Sequence, residues 1–297
     1  MRGMFIGLCF CQVYIDRNHP RSIEESLLQG LPSLGFRPMP DLKTTLIRFV
    51  QGQPFSYKPY SDHIQTVLWL YENEMQESEA LIDCENLQEK DRPRDRACRF
   101  LIDVLGTQCT WQRDYGYDWG QPCVMLKLNK IFDWMPVPFN ESNRPPELGH
   151  RWDPAHVGVS CEGENPIDQE NIGPLEYYPE KGFPIYYYPY LNQEGYRSPL
   201  VMVKFVKPTN GVVINVWCKA WAQNIKHHRQ DSQGSIHFEM LVDWYSRSPA
   251  NVKSVEGWSL VAWLYSIMCI FVYITSVLEV LVDYDSFVAL ICTCVKL

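Results

Sequence analysis

Six cysteines spread over the middle of the chain constrain its fold more than any other feature: Cys84, Cys98, Cys109, Cys123, Cys161 and Cys218. None of the spacings is the C-x-x-C type that zinc ribbons or thioredoxin-like redox sites use. Well-spread cysteines of this kind read as disulfides in a domain that matures outside the cytosol, where such bonds form and persist. They admit many pairings, and the one joining each cysteine to its neighbour (84–98, 109–123, 161–218) is the simplest. Each closed loop stabilises a fold by roughly 2–4 kcal/mol, mainly by restricting the unfolded chain. The competing reading is a set of free, buried cysteines in a cytosolic protein.

The chain has 297 residues, 46% of them hydrophobic, which is enough for a real core in one large domain or two ordinary ones. Its net charge of −8, with no basic stripe to neutralise phosphates, argues against a nucleic-acid partner. Residues 17–60 are polar and rich in proline, and they suit an extended segment over a surface. From Ser61 the spacing of Ile64, Val67, Leu68, Tyr71 and Met75 predicts a helix, with Ser61 or Asp62 as its cap. The second half alternates with the period of strands. Val124, Leu126 and Leu128 share one face of the first, and Val201, Val203 and Phe205 share one face of the second. Val212, Ile214, Val216 and Cys218 form a third set, which points Cys218 into a core; Ile236, Phe238, Met240 and Val242 form a fourth. Turn residues such as Pro208, Asn210-Gly211 and Gly234 separate the strands. The pattern predicts an α+β, mainly β fold: an immunoglobulin-like antiparallel β-sandwich with a flanking helix, built as a disulfide-bonded ectodomain.

Both ends depart from this pattern. Residues 4–15 are apolar apart from Gln12 but too few to cross a bilayer as a helix, and they read as a remnant of a membrane helix, a short signal segment or a buried strand. Trp258 to Leu278 carries no charge and is long enough to span a membrane. Arg247 and Lys253 precede it and acidic residues follow, so the positive-inside rule would put the cysteine-bearing part in the cytosol. The cysteine framework outweighs two basic residues, and residues 244–297 therefore read as an atypical tail. The expected organisation is a remnant at 1–16, an extracellular domain at 17–243, and that tail.

The chain lacks G-x-S-x-G, H-E-x-x-H, Walker and G-x-G-x-x-G motifs, so no catalytic residue, metal ligand, cofactor or small-molecule substrate is assigned. His227-His228 lies in a polar stretch and reads as solvated, and His237 falls on an outward strand face beside Glu239. Asn140-Glu141-Ser142 is a glycosylation sequon on a proline-rich, loop-like segment. The run from Phe183 to Tyr190 (Phe-Pro-Ile-Tyr-Tyr-Tyr-Pro-Tyr) has the most unusual composition. It reads either as core or as a protein-binding face, since interfaces favour aromatics.

Several stretches together resemble the β subunit of the sodium/potassium-transporting ATPase, a family shared closely with the proton/potassium pump's β subunit. They are Leu34-Gly35-Phe36-Arg37-Pro38, Cys98-Arg99-Phe100, Tyr115-Gly116-Tyr117, Gly120 through Asn129, the sequon at Asn140, the run Phe183–Tyr190, and Cys218-Lys219-Ala220 with Asn224-Ile225. The resemblance implies disulfides between neighbours (84–98, 109–123, 161–218) and glycosylation at Asn140. It also implies a non-catalytic role as partner of the pump's catalytic α subunit, in assembly, delivery to the plasma membrane and potassium handling. The expected topology is single-pass type II with an extracellular ectodomain. Tyr187, Tyr188, Pro189 and Tyr190 are the expected contact with the α subunit. The alternative is an extracellular cell-adhesion module that acts without a pump.

Overall fold

Inward-facing apolar residues at every second position produce the two longest strands, β10 (Val213–Trp221) and β11 (Ser235–Trp244), in a computed structural model that describes residues 31–72, 76–228 and 232–244. They pair antiparallel, with Val216 opposite Phe238, and bury Ile214, Val216, Cys218 and Ala220 against Phe238, Met240 and Val242. β6 (His156–Gly163) adds to the other side of β10 and sets Cys161 directly opposite Cys218. β8 (Phe183–Pro184) closes one edge of this five-stranded sheet and β2 (Leu46–Gln51) the other. β2 runs parallel to β11, so this sheet is not wholly antiparallel as the alternation alone suggests. Gly163, at the end of β6, lies under the short helix α2 (Pro166–Asn171), where a Cβ would come within 2.3 Å of its backbone.

The second sheet is antiparallel throughout, in the order β1 (Leu34–Arg37), β5 (Cys123–Leu128), β9 (Leu200–Phe205), β7 (Leu175–Tyr178). Its inner face meets the first sheet through three phenylalanines. Phe238 stacks on Phe36 at 4.8 Å between ring centroids and meets Phe205 edge-on at 6.2 Å. Its outer face is covered as well, because the turns at Ile102–Leu105 and Trp111–Trp119 lie against β9 and β5. Met125 and Met202, which alternation would place in solvent, are therefore buried. The architecture is the expected mainly β, immunoglobulin-like sandwich with one flanking helix.

That helix, α1 (Pro54–Trp69), starts about two turns before Ser61. Pro54 occupies the first turn, where a missing N–H goes unused. Pro59 sits on the exposed side, where water can take the carbonyl it leaves unpaired. The buried stripe is Tyr57, Ser61, Ile64 and Leu68, so Ser61 is an interior residue and not a cap. The segment before it is likewise not a surface strap: Phe36, Ile47 and Phe49 are each 1% exposed. After the helix, fully buried Gln76 donates to the Tyr71 and Phe100 carbonyls at 2.6 and 2.7 Å and accepts from the Phe100 N–H at 2.9 Å.

Three disulfides lock the sandwich: Cys84–Cys98, Cys109–Cys123 and Cys161–Cys218. The third is a rung within one sheet, with its Cα atoms 4.0 Å apart. The described residues belong to the first of two units of the chain, Met1–Tyr245, and the second is Ser246–Leu297. The N-terminal remnant, Met75 and the tail with its apolar stretch at 258–278 lie outside the described residues. Among the described residues no helix is long and apolar enough to cross a membrane.

Truncating Phe238 to alanine removes the ring that both sheets share. The variant should lose about 3–5 kcal/mol in chemical denaturation of the oxidised chain, and a loss below about 1 kcal/mol would contradict this packing.

Candidate partner interface

The aromatic run begins inside the fold and works outward. Phe183 is fully buried where β8 pairs with β6, and the chain then turns through a 3-10 segment, Ile185–Tyr187. Tyr187 and Tyr188, expected at a partner contact, are 5% and 7% exposed. The Tyr187 hydroxyl donates to the Arg99 carbonyl at 3.1 Å, and its ring packs against Phe100 and Tyr186. The Tyr188 ring meets Trp134 edge-on at 5.6 Å, and its hydroxyl is buried. These two rings hold the segment in place; Ile185, Tyr186, Pro189 and Tyr190 are the partly exposed residues of the run. Burial pushes the Tyr187 and Tyr188 phenols far above their ordinary range, so both stay neutral.

The far end is equally fixed. Tyr190 packs on Tyr196 with centroids 4.8 Å apart, its hydroxyl donates to Asn192 Oδ1 at 2.9 Å, and its carbonyl accepts from the Asp133 N–H at 2.9 Å. Lys130 Nζ lies 5.2 Å from the centroids of both rings, a cation held against two aromatic faces. Gln193 ties the run to the cysteine-bearing loop, donating to the Pro189 carbonyl at 3.2 Å and the Arg94 carbonyl at 3.4 Å. At the start of the run, Asp153 receives Lys181 Nζ and the Ala155 N–H, both at 2.7 Å, with His156 Nδ1 at 3.1 Å. Asn140 stands elsewhere, in an exposed turn where its Oδ1 accepts from Ser142 Oγ at 2.7 Å.

One cluster superficially resembles a catalytic relay. His237 lies between Glu164 (Nδ1 to Oε1, 2.7 Å) and Glu239 (Nε2 to Oε1, 2.8 Å), and Thr45 Oγ1 donates to Glu239 Oε2 at 2.7 Å. The hydroxyl meets a carboxylate and not the imidazole, so His237 cannot take its proton as a general base must. The Thr45 bond instead fastens the start of β2 to β11, and the Glu164 bond ties β11 to the residue that follows β6. His227 is half-buried against Trp221 and not solvated: its Nε2 lies 2.7 Å from the Ala220 carbonyl, and burial lowers its pKa. Among the described residues no group of three or more His, Cys, Asp or Glu side chains is placed to hold a metal.

The run is thus a partly exposed aromatic face on a disulfide-locked sandwich. The family model described as sodium/potassium ATPase beta chain matches residues 1–238. The chain belongs to the sodium/potassium ATPase β-chain family. It is 38% identical over 267 residues to sodium/potassium-transporting ATPase subunit beta-2 of Drosophila melanogaster, covering 80% of each chain. To subunit beta-1 of the same fly it is 36% identical over 233 residues, or 74% of each. A probable subunit beta-3 of Caenorhabditis briggsae is 32% identical over 251 residues, 82% of this chain and 76% of the relative. The family is the accessory, non-catalytic chain of the pump.

Composition marks the run as unusual but does not divide it into buried rings and partly exposed ones. It misses Lys130, Tyr196 and Gln193, whose roles depend on contacts far away in sequence.

Burial raises the Asp153 carboxyl, but its bonds from Lys181 and the Ala155 N–H, with His156 beside it, win and bring it down from 3.8 to about 2. A depressed carboxylate stabilises the fold fully above its unfolded value and loses that contribution as pH falls through the folded one. Asp153→Asn should therefore be less stable than the parent at neutral pH, with the gap closing between about pH 4 and pH 2. Denaturation midpoints across that range test this; a gap that stays constant with pH would contradict it.

Proposed function

We propose that the chain assembles with the catalytic α subunit of a sodium/potassium pump, supports its folding and delivery to the plasma membrane, and tunes its potassium handling. The observation that carries this reading is the aromatic face at Tyr186, Pro189 and Tyr190, backed by the buried rings of Tyr187 and Tyr188. Aromatics held in place before contact lose little conformational freedom on binding, so more of their burial appears as affinity. The disulfide frame favours an ectodomain outside the cell, because such bonds persist in oxidising compartments. Asn140, exposed in its turn, is the proposed glycan acceptor, and the topology proposed from the family resemblance is single-pass type II with the ectodomain outside the cell. It needs no cofactor or small-molecule substrate.

Detergent co-purification of the full chain with an endogenous α subunit tests the reading directly: recovery of the two together is expected, and failure to recover any α subunit would overturn it. Cys161→Ser, which opens the rung between β6 and β10, should hold the chain in the endoplasmic reticulum and reduce the α subunit at the cell surface several-fold. Normal surface delivery would contradict that dependence.

A further inference from the structure

A cleft of about 870 Å³ lies between the loop closed by Cys84–Cys98 and the aromatic run. Its charge is opposite to that of the chain. Lys90, Arg92, Arg94 and Arg96, alternate residues of one short segment, all line it, while the intervening Asp91 and Asp95 do not. Asp133 is the one carboxylate in the lining, and Glu85 stands close enough for Tyr186 and Tyr187 to feel its charge. Four cations against two carboxylates make a positive cleft on a chain of net charge −8.

Arg92 marks its inner wall. One guanidinium nitrogen, Nη1, donates to the Tyr186 carbonyl at 3.1 Å and fixes the side chain across the cleft. Its Nε is buried without a hydrogen-bond partner among the described residues. Arg94 and Arg96 are exposed at the rim. The opposite wall is Tyr186 and Pro189, the aromatic face described above. Arginines facing a tyrosine–proline wall suit a chain that carries carboxylates beside apolar groups.

We infer that this cleft takes an acidic, extended polypeptide segment of the partner, whose carboxylates meet Arg92, Arg94 and Arg96 while its flanks lie on Tyr186 and Pro189. This rests on the partner-binding reading above and names the chemistry of the docking element. Desolvated arginine–carboxylate pairs fix register and partner choice, so the charge pattern selects what the aromatic face alone would accept indiscriminately.

The test uses the full chain in detergent at about 150 mM salt, near physiological ionic strength, with a fluorescent glutamate-rich peptide and a sulfated oligosaccharide of similar length as probes. The peptide should bind the parent chain and bind the double variant Arg94→Glu/Arg96→Glu at least about tenfold more weakly, a change of roughly 1.4 kcal/mol. A control of equal net charge, Lys43→Glu/Lys207→Glu, alters exposed lysines outside the cleft and should bind like the parent. Unchanged disulfide content and thermal unfolding of the variants show that loss of binding is not loss of fold. Absence of peptide binding, equal weakening in the control, or tighter binding of the oligosaccharide would each overturn the inference. Because no α subunit enters this measurement, its failure is distinct from failure of co-purification.

Discussion

The cross-link between Cys161 and Cys218 is the constraint on which the rest of the structure depends. It joins β6 and β10 at facing positions, next to the sheet's inner face, and so fixes the register of the strands that carry the core. A slip of one residue would turn Ile214, Val216 and Ala220 outward and remove the floor against which Phe238 packs. The other two bridges extend this order outward. Cys109–Cys123 ties the turns over the second sheet to its strand β5, and Cys84–Cys98 closes the loop that lies against the aromatic run.

Rigidity at the proposed interface follows from this frame. Tyr187 hydrogen-bonds the backbone one residue beyond Cys98, and Gln193 spans from Pro189 to Arg94 within the same neighbourhood. The aromatic face is thus positioned by bonds to the cysteine-bearing loop and by the buried rings of Tyr187 and Tyr188. Its exposed members are few, and each is fixed before any partner arrives. For the accessory, non-catalytic chain of a pump, pre-organisation of such a surface takes the place, in the proposed function, that catalytic geometry holds in an enzyme.

Much of this was legible in the sequence because it depends on local period. β10 and β11 alternate cleanly, and the inward direction of Cys218 follows from counting by twos. What was hidden depends on contacts between distant segments. Met125 and Met202 read as outward residues until the turns that cover their sheet are in place. Pro54 and Pro59 fall in the proline-rich stretch that reads as an extended segment, yet one stands in the first turn of α1 and the other on its solvent side. The parallel pairing of β2 with β11 carries no local signature. In the aromatic run, composition announces a special segment, but only three-dimensional packing separates Tyr187 and Tyr188 from Pro189 and Tyr190.

The most direct test of the central claim is a peptide map, under non-reducing conditions, of the chain purified from surface membranes after its free thiols are blocked. The account predicts three linked peptide pairs, joining 84 to 98, 109 to 123 and 161 to 218. Recovery of these cysteines as blocked free thiols, or linked in any other pairing, would contradict it.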